Sequence, residues 1–267
     1  MINKKEEQLI QILEGGKSYA VAFSGGTDST LLLYYLSKLK IKTKAYTFHS
    51  YLYPEKELEE ATNLAKLLGI DHEIILLDPL EKIDNIKYNP KERCYICKKC
   101  MFNILKEKAA LLGIEKVIEG SNFDDRNDFR PGMKAVKELN IISPLDMAEL
   151  TKDDVRYLLK KANLNYKKPS FACYFSRFPY NMDINKHMIE RISLCESYIH
   201  SLGFDSIRVR YHYDIVRLEG NIIHIKTIIN DDIIRHKIID YIKSYGFLFV
   251  TLDLEEYKTG SMNRTIK

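Results

Sequence analysis

The sequence predicts an α/β protein in which a domain built on a parallel sheet is followed by a smaller α+β domain. In the first half, β-rich apolar runs alternate with helical stretches in the order β-α-β-α-β-α-β, joined by short connections. That order is typical of a parallel sheet with helices on both faces. The periodic pattern then breaks in the stretch 167–180, which contains two prolines. Since 267 residues suffice for two cores, we place the domains at residues 1–165 and 166–267.

Capping and stop signals bound the elements of the first domain. Pro54 opens a helix that Gly69 stops, and Thr151 caps another helix with Asp154 as its capping-box partner. The predicted strands are 19–23, 44–48, 73–77 and 116–119, and the predicted helices are 5–14, one from about Asp28, 54–69, 92–112 and 151–162. Because ligands of such sheets bind beyond the carboxyl ends of the strands, the residues that follow each strand are the first candidates for a site.

The second domain reads as a meander of strands with two helices. Its predicted elements are helix 184–202, strands 207–211, 215–218 and 222–225, helix 231–245 and strand 247–252. The stretch 167–180 before them has neither a strand nor a helix period, so we interpret it as a functional linker between the domains.

Composition narrows the class of protein. The net charge of +4 comes from 41 basic and 37 acidic residues that are interspersed along the chain, which suits a phosphate-handling enzyme better than a nucleic-acid binder. No apolar run approaches the length of about 20 residues that a membrane span needs, and the first residues lack the apolar core of a signal peptide. We therefore expect a cytoplasmic protein without a membrane partner, whose five cysteines serve metal binding or catalysis rather than disulfides.

A glycine-containing turn joins the first strand to the next helix. Its residues are Ser24-Gly25-Gly26-Thr27-Asp28-Ser29-Thr30. The two glycines let the backbone approach a ligand closely, and the helix N-terminus and three hydroxyls can converge on phosphate. The alternative is a plain glycine turn capped by Asp28. The turn lacks the lysine of the Gly-x-x-x-x-Gly-Lys-Ser/Thr loop, which grips the β- and γ-phosphates.

This turn resembles the PP-loop of the ATP pyrophosphatases, which implies an adenine nucleotide alpha hydrolase-like fold. The resemblance implies that ATP is cleaved between its α- and β-phosphates, that Asp28 helps to hold Mg²⁺, and that the serines and threonine contact phosphate. Other polar residues follow the neighbouring strands. They are His49 and Ser50 after the second strand, and the loop from Gly120 to Gly132, which includes Asp124 and Asp125, after the fourth. A solvated connector is the alternative for that loop.

Three thiols, Cys94, Cys97 and Cys100, share a Cys-x-x-Cys-x-x-Cys spacing beside Arg93, Lys98 and Lys99. Nearby cations favour the thiolate, which binds metals or attacks electrophiles. The second Cys-x-x-Cys pair of a zinc ribbon does not occur, so a site would be completed from elsewhere, with Cys173 as the candidate. Unligated cysteines at a helix start are the alternative, and Cys195 reads as a core residue.

Arginines form a second candidate group. Ser176 and Arg177 follow Cys173, and Arg208 and Arg210 share one face of an alternating strand. Paired guanidinium groups would make a clamp for phosphate. The alternative is that the two strand arginines form the charged outer face of an amphipathic strand.

Taken in order along nearly the whole chain, these motifs resemble the LarE family. The motifs are the phosphate loop, Arg93-Cys94-Tyr95-Ile96-Cys97-Lys98, Gly120-x-Asn122-x-Asp124-Asp125, Asp128-x-Arg130-Pro131-Gly132, Ser143-Pro144-Leu145, Lys168-Pro169-x-x-Ala172-Cys173-x-x-Ser176-Arg177-x-Pro179-Tyr180, Arg208-Val209-Arg210 and Val250-Thr251-Leu252-Asp253-Leu254. Two positions depart from the family pattern, Asn181 in place of a glycine and Tyr174 in place of a common leucine.

The resemblance implies an ATP-dependent sulfurtransferase of nickel-pincer nucleotide synthesis, the cofactor pathway of lactate racemase. Such enzymes adenylate carboxylates of a pyridinium mononucleotide and replace the AMP with sulfur, giving thiocarboxylates. In one type, implied here by Cys94, Cys97 and Cys173, three cysteines hold a [4Fe–4S] cluster that a sulfide donor refills. In the other type a single cysteine, here Cys173, gives up its own sulfur. A structural zinc site is a third alternative, and Cys100 has no assigned place.

The family also implies a homo-oligomer, a catalytic role for Asp28, Ser176 and Arg177, and binding of the substrate phosphate by Arg208 and Arg210. Two other functions remain open on sequence grounds. One is a tRNA-thiolating PP-loop enzyme, against which the interspersed charge argues. The other is a non-catalytic ATP-binding iron–sulfur sensor or scaffold, which would bind nucleotide without releasing pyrophosphate.

Overall fold

A computed structural model describes residues 2–127, 131–168, 171–258 and 261. The chain forms two compact units. Unit 1 comprises Met1–Ser50, Glu55–Ile83 and Glu92–Phe171, and unit 2 comprises Tyr51–Pro54, Asp84–Lys91 and Ala172–Lys267. The units thus divide at residues 171 and 172 in the C-terminal half, and two short segments of the first half belong to unit 2.

Unit 1 contains a four-stranded sheet in which every pairing is parallel. Its strands are β1 (Ser18–Ala22), β2 (Lys42–His49), β3 (Asp71–Leu76) and β4 (Lys116–Ile118), in the spatial order β3-β2-β1-β4. The chain moves outward from β1 through β2 to β3 and then returns to place β4 on the other side of β1. The carboxyl ends of β1 and β4 therefore flank the point where the strand order reverses, which is where open α/β sheets bind ligands.

Eight helices of unit 1 lie before, between and after these strands in the described residues. They are α1 (Ile2–Glu14), α2 (Thr27–Lys38), α3 (Glu55–Leu67), α4 (Pro79–Lys82), α5 (Arg93–Leu111), α6 (Gly132–Glu138), α7 (Pro144–Met147) and α8 (Lys152–Lys161). The predicted capping box of α8 is present: the Asp154 N–H donates to Thr151 Oγ1 (3.2 Å), and the Thr151 N–H donates to Asp154 Oδ2 (3.0 Å).

Buried side chains cover both faces of this sheet. Tyr19 and Val21 of β1 belong to one apolar cluster with residues of α1, α2 and α8. Ala20 of β1 and Tyr46 of β2 belong to a second cluster with Phe102 of α5 and residues of α6. Alternate residues of a strand point to opposite faces, so these two clusters are the two layers predicted for a covered parallel sheet. The α/β fold class is thereby confirmed.

The described part of unit 2 contains a smaller mixed sheet and three α-helices. Its strands β5 (Arg208–His212), β6 (Ile215–Glu219) and β7 (Phe249–Leu252) lie in that order, with β5 antiparallel and β7 parallel to β6. Its helices are α9 (Lys186–Ser201), α10 (Ile222–Asn230) and α11 (Asp232–Ser244). Across the described ranges, no helix is long and apolar enough to cross a membrane.

One predicted element is wrong. The run 222–225, expected to be a strand, is the first turn of α10. Asn221 caps this helix by accepting a hydrogen bond from the His224 N–H (2.8 Å), and Ile225 and Ile228, three residues apart, form its buried stripe. A short apolar run of isoleucines fits a strand or a buried helix equally well, and here the capping residue and the longer spacing decide for the helix.

Two segments from the first half of the chain are hydrogen-bonded to the start of the C-terminal part within unit 2. The Tyr174 N–H donates to Leu52 O (3.1 Å), the Asn181 N–H to Asn89 O (3.1 Å), and the Ile184 N–H to Lys87 O (2.8 Å). Residues 172–184, which include the second half of the predicted linker 167–180, are therefore held by main-chain hydrogen bonds at Tyr174, Asn181 and Ile184.

Candidate active site

The predicted phosphate loop forms a tight turn between β1 and α2. Gly25 has φ +70°, and a Cβ there would lie 3.0 Å from Ala61 Cβ of α3. That backbone conformation favours glycine, and the close approach of α3 leaves no room for a side chain. Gly26 precedes the first residue of α2 in an extended conformation. Gly25 thus meets two separate structural requirements, one conformational and one steric.

The hydroxyls of Ser24 and Ser29 are hydrogen-bonded to each other and to the loop backbone. Ser24 Oγ and Ser29 Oγ are 3.2 Å apart, and Ser29 Oγ donates to Gly26 O (3.2 Å) while the Gly26 N–H donates to Ser24 Oγ (3.3 Å). Thr30, in the first turn of α2, is buried, and its N–H donates to Gly26 O (3.0 Å). Hydroxyls and N–H groups at the N-terminus of α2 are the groups that bind a phosphate at a helix start.

The loop after β4 closes over the same helix start. A Cβ on Gly120 would lie 2.9 Å from Ser29 N, so only glycine allows this approach. Two residues further on, Asn122 Nδ2 donates to Asp28 Oδ1 (3.2 Å). The structure therefore brings together the polar residues that follow β1 and those that follow β4, at the point where the strand order reverses.

Lys152, the first residue of α8, adds a cation that the sequence analysis did not identify. Its Nζ donates to Asp28 Oδ2 and to Thr27 Oγ1 (2.7 Å to Thr27), and its main-chain N–H donates to Asp124 Oδ2 (2.8 Å). Asp125 is buried and accepts from the Asn122 N–H (3.1 Å). The carboxylate of Asp28 is thus held on one oxygen by an ammonium group and on the other by an amide.

Two further candidate residues, His49 and Ser50, lie at the carboxyl end of β2. Ser50 follows β2, the neighbour of β1, and is half-buried; His49 Nε2 lies 3.0 Å from Glu55 Oε1. Asp128 and Arg130 of the predicted loop motif lie outside the described residues.

A buried carboxylate ties helix α5 to the loop after β4. Glu119 accepts from the Ser121 N–H (2.9 Å) and from the hydroxyls of Ser121 (2.9 Å) and Ser143 (2.6 Å), and Lys98 Nζ of α5 lies 3.5 Å away. A Cβ on Gly132 would lie 2.7 Å from Lys98 Cδ, so the lysine stem passes directly over that glycine. The helix that carries three cysteines is therefore fixed to the loop that contacts Asp28.

The three cysteines lie along the first two turns of α5. Cys94 is exposed, and Cys97 and Cys100 are half-buried. Burial raises the pKa of the Cys100 thiol. The lysines expected to favour thiolates have carboxylate partners instead: Lys98 lies near Glu119, and Lys99 Nζ lies 3.1 Å from Glu138. In the part of the chain that the structure describes, no group of three or more His, Cys, Asp or Glu side chains is arranged to hold a metal ion.

Cys173 belongs to unit 2, at the start of the short helical turn Tyr174–Arg177. The Ser176 N–H (3.0 Å) and hydroxyl (2.8 Å) both donate to Cys173 O. Arg177 Nη1 donates to Ser176 Oγ (2.7 Å) and to Ala172 O (3.1 Å). The predicted residues Cys173, Ser176 and Arg177 are thus brought together by one hydrogen-bonded turn.

The three predicted arginines are buried among carboxylates. Arg177 makes a bidentate pair with Glu196 (2.8 and 2.6 Å), and both side chains are 1% exposed or less. Arg208 Nη1 lies 3.9 Å from the same glutamate, and Arg210 Nε donates to Glu219 (2.7 Å). Four of the five residues of β5 are buried, so the alternative of a charged outer strand face is wrong.

The position of Glu196 in the sequence indicates a buried, paired carboxylate that the sequence-based prediction did not include. It lies on the buried stripe of α9 with Ile192 and Ile199, four residues after the first and three before the second. A charged residue at such a position is rarely buried without a partner. Burial alone would raise the pKa of Glu196, but Arg177, with a smaller contribution from Arg208, lowers it to about 2.

Comparison with known proteins places the chain among PP-loop enzymes. Residues 18–89 match the family model of the queuosine biosynthesis protein QueC. A pyridinium-3,5-bisthiocarboxylic acid mononucleotide synthase from Lactiplantibacillus plantarum is 36% identical over 98% of this chain and 95% of its own length. Uncharacterized proteins from Synechocystis (34% identical, 100% of this chain and 99% of the relative) and Methanocaldococcus jannaschii (32%, 91% and 92%) are similar over comparable lengths.

Proposed function

Because this chain belongs to the LarE family of PP-loop enzymes, we propose that it is an ATP-dependent sulfurtransferase that converts a carboxylate of a pyridinium mononucleotide into a thiocarboxylate. The observation that carries the proposal is the full-length similarity to the Lactiplantibacillus synthase, combined with a glycine turn whose hydroxyls, Asp28 and Lys152 meet at the start of α2.

The first step is adenylation of the substrate. A carboxylate oxygen attacks the α-phosphorus of ATP, the bond to the bridging oxygen of the β-phosphate breaks, and pyrophosphate leaves with that electron pair. The N–H groups at the start of α2 and the hydroxyls of Ser24 and Ser29 hold pyrophosphate, and Lys152 adds a positive charge beside them. Asp28 and Thr27 offer the oxygen ligands that Mg²⁺ prefers, and Mg²⁺ bound there would neutralise phosphate charge.

The second step is attack of a sulfur nucleophile on the acyl carbon, with AMP as the leaving group. We assign the sulfur to a site of Cys94, Cys97 and Cys173. Two thiols three residues apart lie along one face of α5, and the third is in a turn whose Arg177 favours an anion. A [4Fe–4S] cluster on three cysteines would supply an iron that carries sulfide from a donor. Release of the sulfur of Cys173 itself is the alternative.

The arginine cluster of unit 2 supports binding of the substrate phosphate by Arg208 and Arg210. Arg177 pairs with Glu196, Arg208 lies near the same carboxylate, and Arg210 pairs with Glu219, so three guanidinium groups are collected in unit 2. Burial lowers the pKa of Arg210 despite its Glu219 partner. Guanidinium groups collected in this way suit the oxygen atoms of a phosphate.

Homo-oligomer formation is part of the same proposal. Leu248 and Phe249 at the outer strand β7 are 59% and 60% exposed, which leaves apolar surface beside an unpaired strand edge in the described part of unit 2.

We expect Asp28→Ala to reduce formation of AMP and pyrophosphate by about 10²-fold or more, because the variant loses the anchor of Lys152 and an oxygen ligand for Mg²⁺. The measurement is separation of the nucleotide products after incubation with the pyridinium substrate and Mg·ATP. Asp153→Asn is a matched control, since that carboxylate is 93% exposed. Production of ADP and inorganic phosphate by the unmodified protein would refute the proposed adenylation.

We expect the double variant Arg210→Gln, Glu219→Gln to weaken binding of the mononucleotide about tenfold or more while the affinity for ATP is unchanged. Replacing both partners avoids leaving a buried carboxylate unpaired. Isothermal titration with each ligand makes the comparison. If ATP binding weakens and mononucleotide binding does not, the arginines serve a different ligand.

A further inference from the structure

Asn89 is a buried residue in an unusual conformation. It ends the short helical turn Ile86–Tyr88 in the left-handed region (φ 47°), and its side chain is completely buried. A turn of this kind tolerates asparagine or glycine. Glycine would satisfy the backbone equally well, so the conformation alone does not explain why an amide is buried here.

The Asn89 amide contacts three main-chain carbonyls of one segment. Nδ2 donates to Pro179 O (2.8 Å) and Phe178 O (3.1 Å), and Phe175 O lies 3.4 Å away. All three neighbours are acceptors, which fixes the NH₂ end of the amide toward them. The main chain adds a fourth contact, because Asn89 O accepts from the Asn181 N–H (3.1 Å). One residue therefore holds the segment from Phe175 to Asn181 at four points.

That segment continues the turn on which the sulfur chemistry depends. Ser176 and Arg177 lie within it, and Ser176 is bonded twice to Cys173 O. Asn89 also precedes Cys94 by five residues in the chain. Asn89 therefore holds the segment after Cys173 and also stands a few residues before α5, the helix that carries the other cysteines.

We propose that Asn89 is a positioning residue for sulfur transfer, whose amide fixes the backbone of residues 175–179 and so holds Cys173 and Arg177 in their reactive arrangement. This inference rests on the proposed sulfurtransferase function. The amide acts on the second step and not on adenylation, because within the described residues its Nδ2 hydrogen bonds go to the segment after Cys173.

The backbone and side-chain roles can be separated by Asn89→Gly. Glycine keeps the left-handed conformation and removes only the amide. Asn85 gives a matched control, since it has a left-handed backbone (φ 60°) in the same segment but is exposed and makes no capping bond with its side chain. The variants are compared with the unmodified full chain, purified anaerobically, in two assays and one structural measurement.

We expect Asn89→Gly to slow thiocarboxylate formation at saturating substrate by about tenfold or more, since small displacements of reacting groups cost that much. ATP–pyrophosphate exchange in the presence of the mononucleotide should stay within about twofold of the unmodified protein. Hydrogen–deuterium exchange in peptides covering 173–181 should become about tenfold faster, while peptides of β1 and α2 are unchanged. Asn85→Gly should alter none of the three.

The outcomes separate this inference from the function on which it rests. If Asn89→Gly exchanges hydrogen and transfers sulfur like the unmodified protein, the amide positions nothing. If exchange of ATP with pyrophosphate falls as much as sulfur transfer, Asn89 is only a general stabiliser and the proposal fails. If the unmodified protein forms no thiocarboxylate, the sulfurtransferase proposal fails, while faster hydrogen exchange still shows that the amide holds the segment.

Discussion

Cys173→Ala should abolish thiocarboxylate formation, lowering it by about 10³-fold or more, while ATP–pyrophosphate exchange continues. The Cys173 thiol lies in a turn where the Ser176 hydroxyl donates to Cys173 O and the Arg177 guanidinium donates to the Ser176 hydroxyl. Under both sulfur mechanisms this residue carries or anchors the nucleophile, whereas adenylation uses the glycine turn of unit 1. The measurement pairs mass spectrometry of the pyridinium product with radiolabelled exchange of pyrophosphate into ATP.

Cys100→Ala is the control for the loss of a thiol. Cys100 is half-buried, and burial raises the pKa of its thiol, which makes it a poor thiolate at neutral pH. This variant should therefore transfer sulfur at close to the unmodified rate. Full activity of Cys173→Ala would exclude both the cluster and the sacrificial mechanism.

The same preparation distinguishes those two mechanisms. Conversion of cysteine to dehydroalanine releases H₂S, so a peptide containing Cys173 would lose about 34 Da after one turnover if the cysteine is sacrificed. An intact Cys173 together with about four irons per anaerobically purified chain would indicate the cluster. We expect the second result, because sacrifice of Cys173 would leave Cys94 and Cys97 without a role.

Glu196→Gln should lower the free energy of unfolding by about 3–5 kcal/mol at neutral pH. The change leaves Arg177, which is 1% exposed, without its bidentate carboxylate, and Arg208 loses a neighbour at 3.9 Å. Glu196 also accepts from the Val209 N–H (2.9 Å), so α9, the Cys173 turn and β5 share this carboxylate. Urea unfolding followed by circular dichroism measures the difference. Asp153→Asn, at an exposed ion pair, should cost no more than about 1 kcal/mol.

The effect of Glu196→Gln should disappear in acid. In the folded protein the pKa of Glu196 is about 2, below its value of 4.5 in the unfolded chain. A carboxyl group with a depressed pKa contributes stability that is complete above the unfolded pKa and is lost as the pH falls toward the folded pKa. Glutamine resembles the protonated acid, so the two proteins should converge in stability between about pH 4.5 and pH 2. A difference that is constant over this range would show that the carboxylate charge is not responsible.

Local signals in the sequence determined the architecture of unit 1. Alternating strand and helix periods predicted four parallel strands, and the capping residues Pro54, Gly69 and Thr151 placed helix ends to within a few residues. The glycine turn was recognisable for the same reason, because the pair Gly25-Gly26 lies between β1 and α2, and Gly25 has the positive φ (+70°) that favours glycine. Such signals lie within a few residues of the structure that they specify, so they can be read without knowing the fold.

The partners of the reactive groups were decided only by the tertiary structure. Lys152 meets Asp28 across 124 residues of chain, and Asn89 meets Phe178 across 89. The arginines of β5 look like an outer face until α9 supplies Glu196 and β6 supplies Glu219. An isolated lysine, asparagine or glutamate has the same local pattern whether it is solvated or buried. Contacts between residues far apart in the chain produce no periodic pattern in the sequence. Which residues form them therefore depends on how the helices and strands pack.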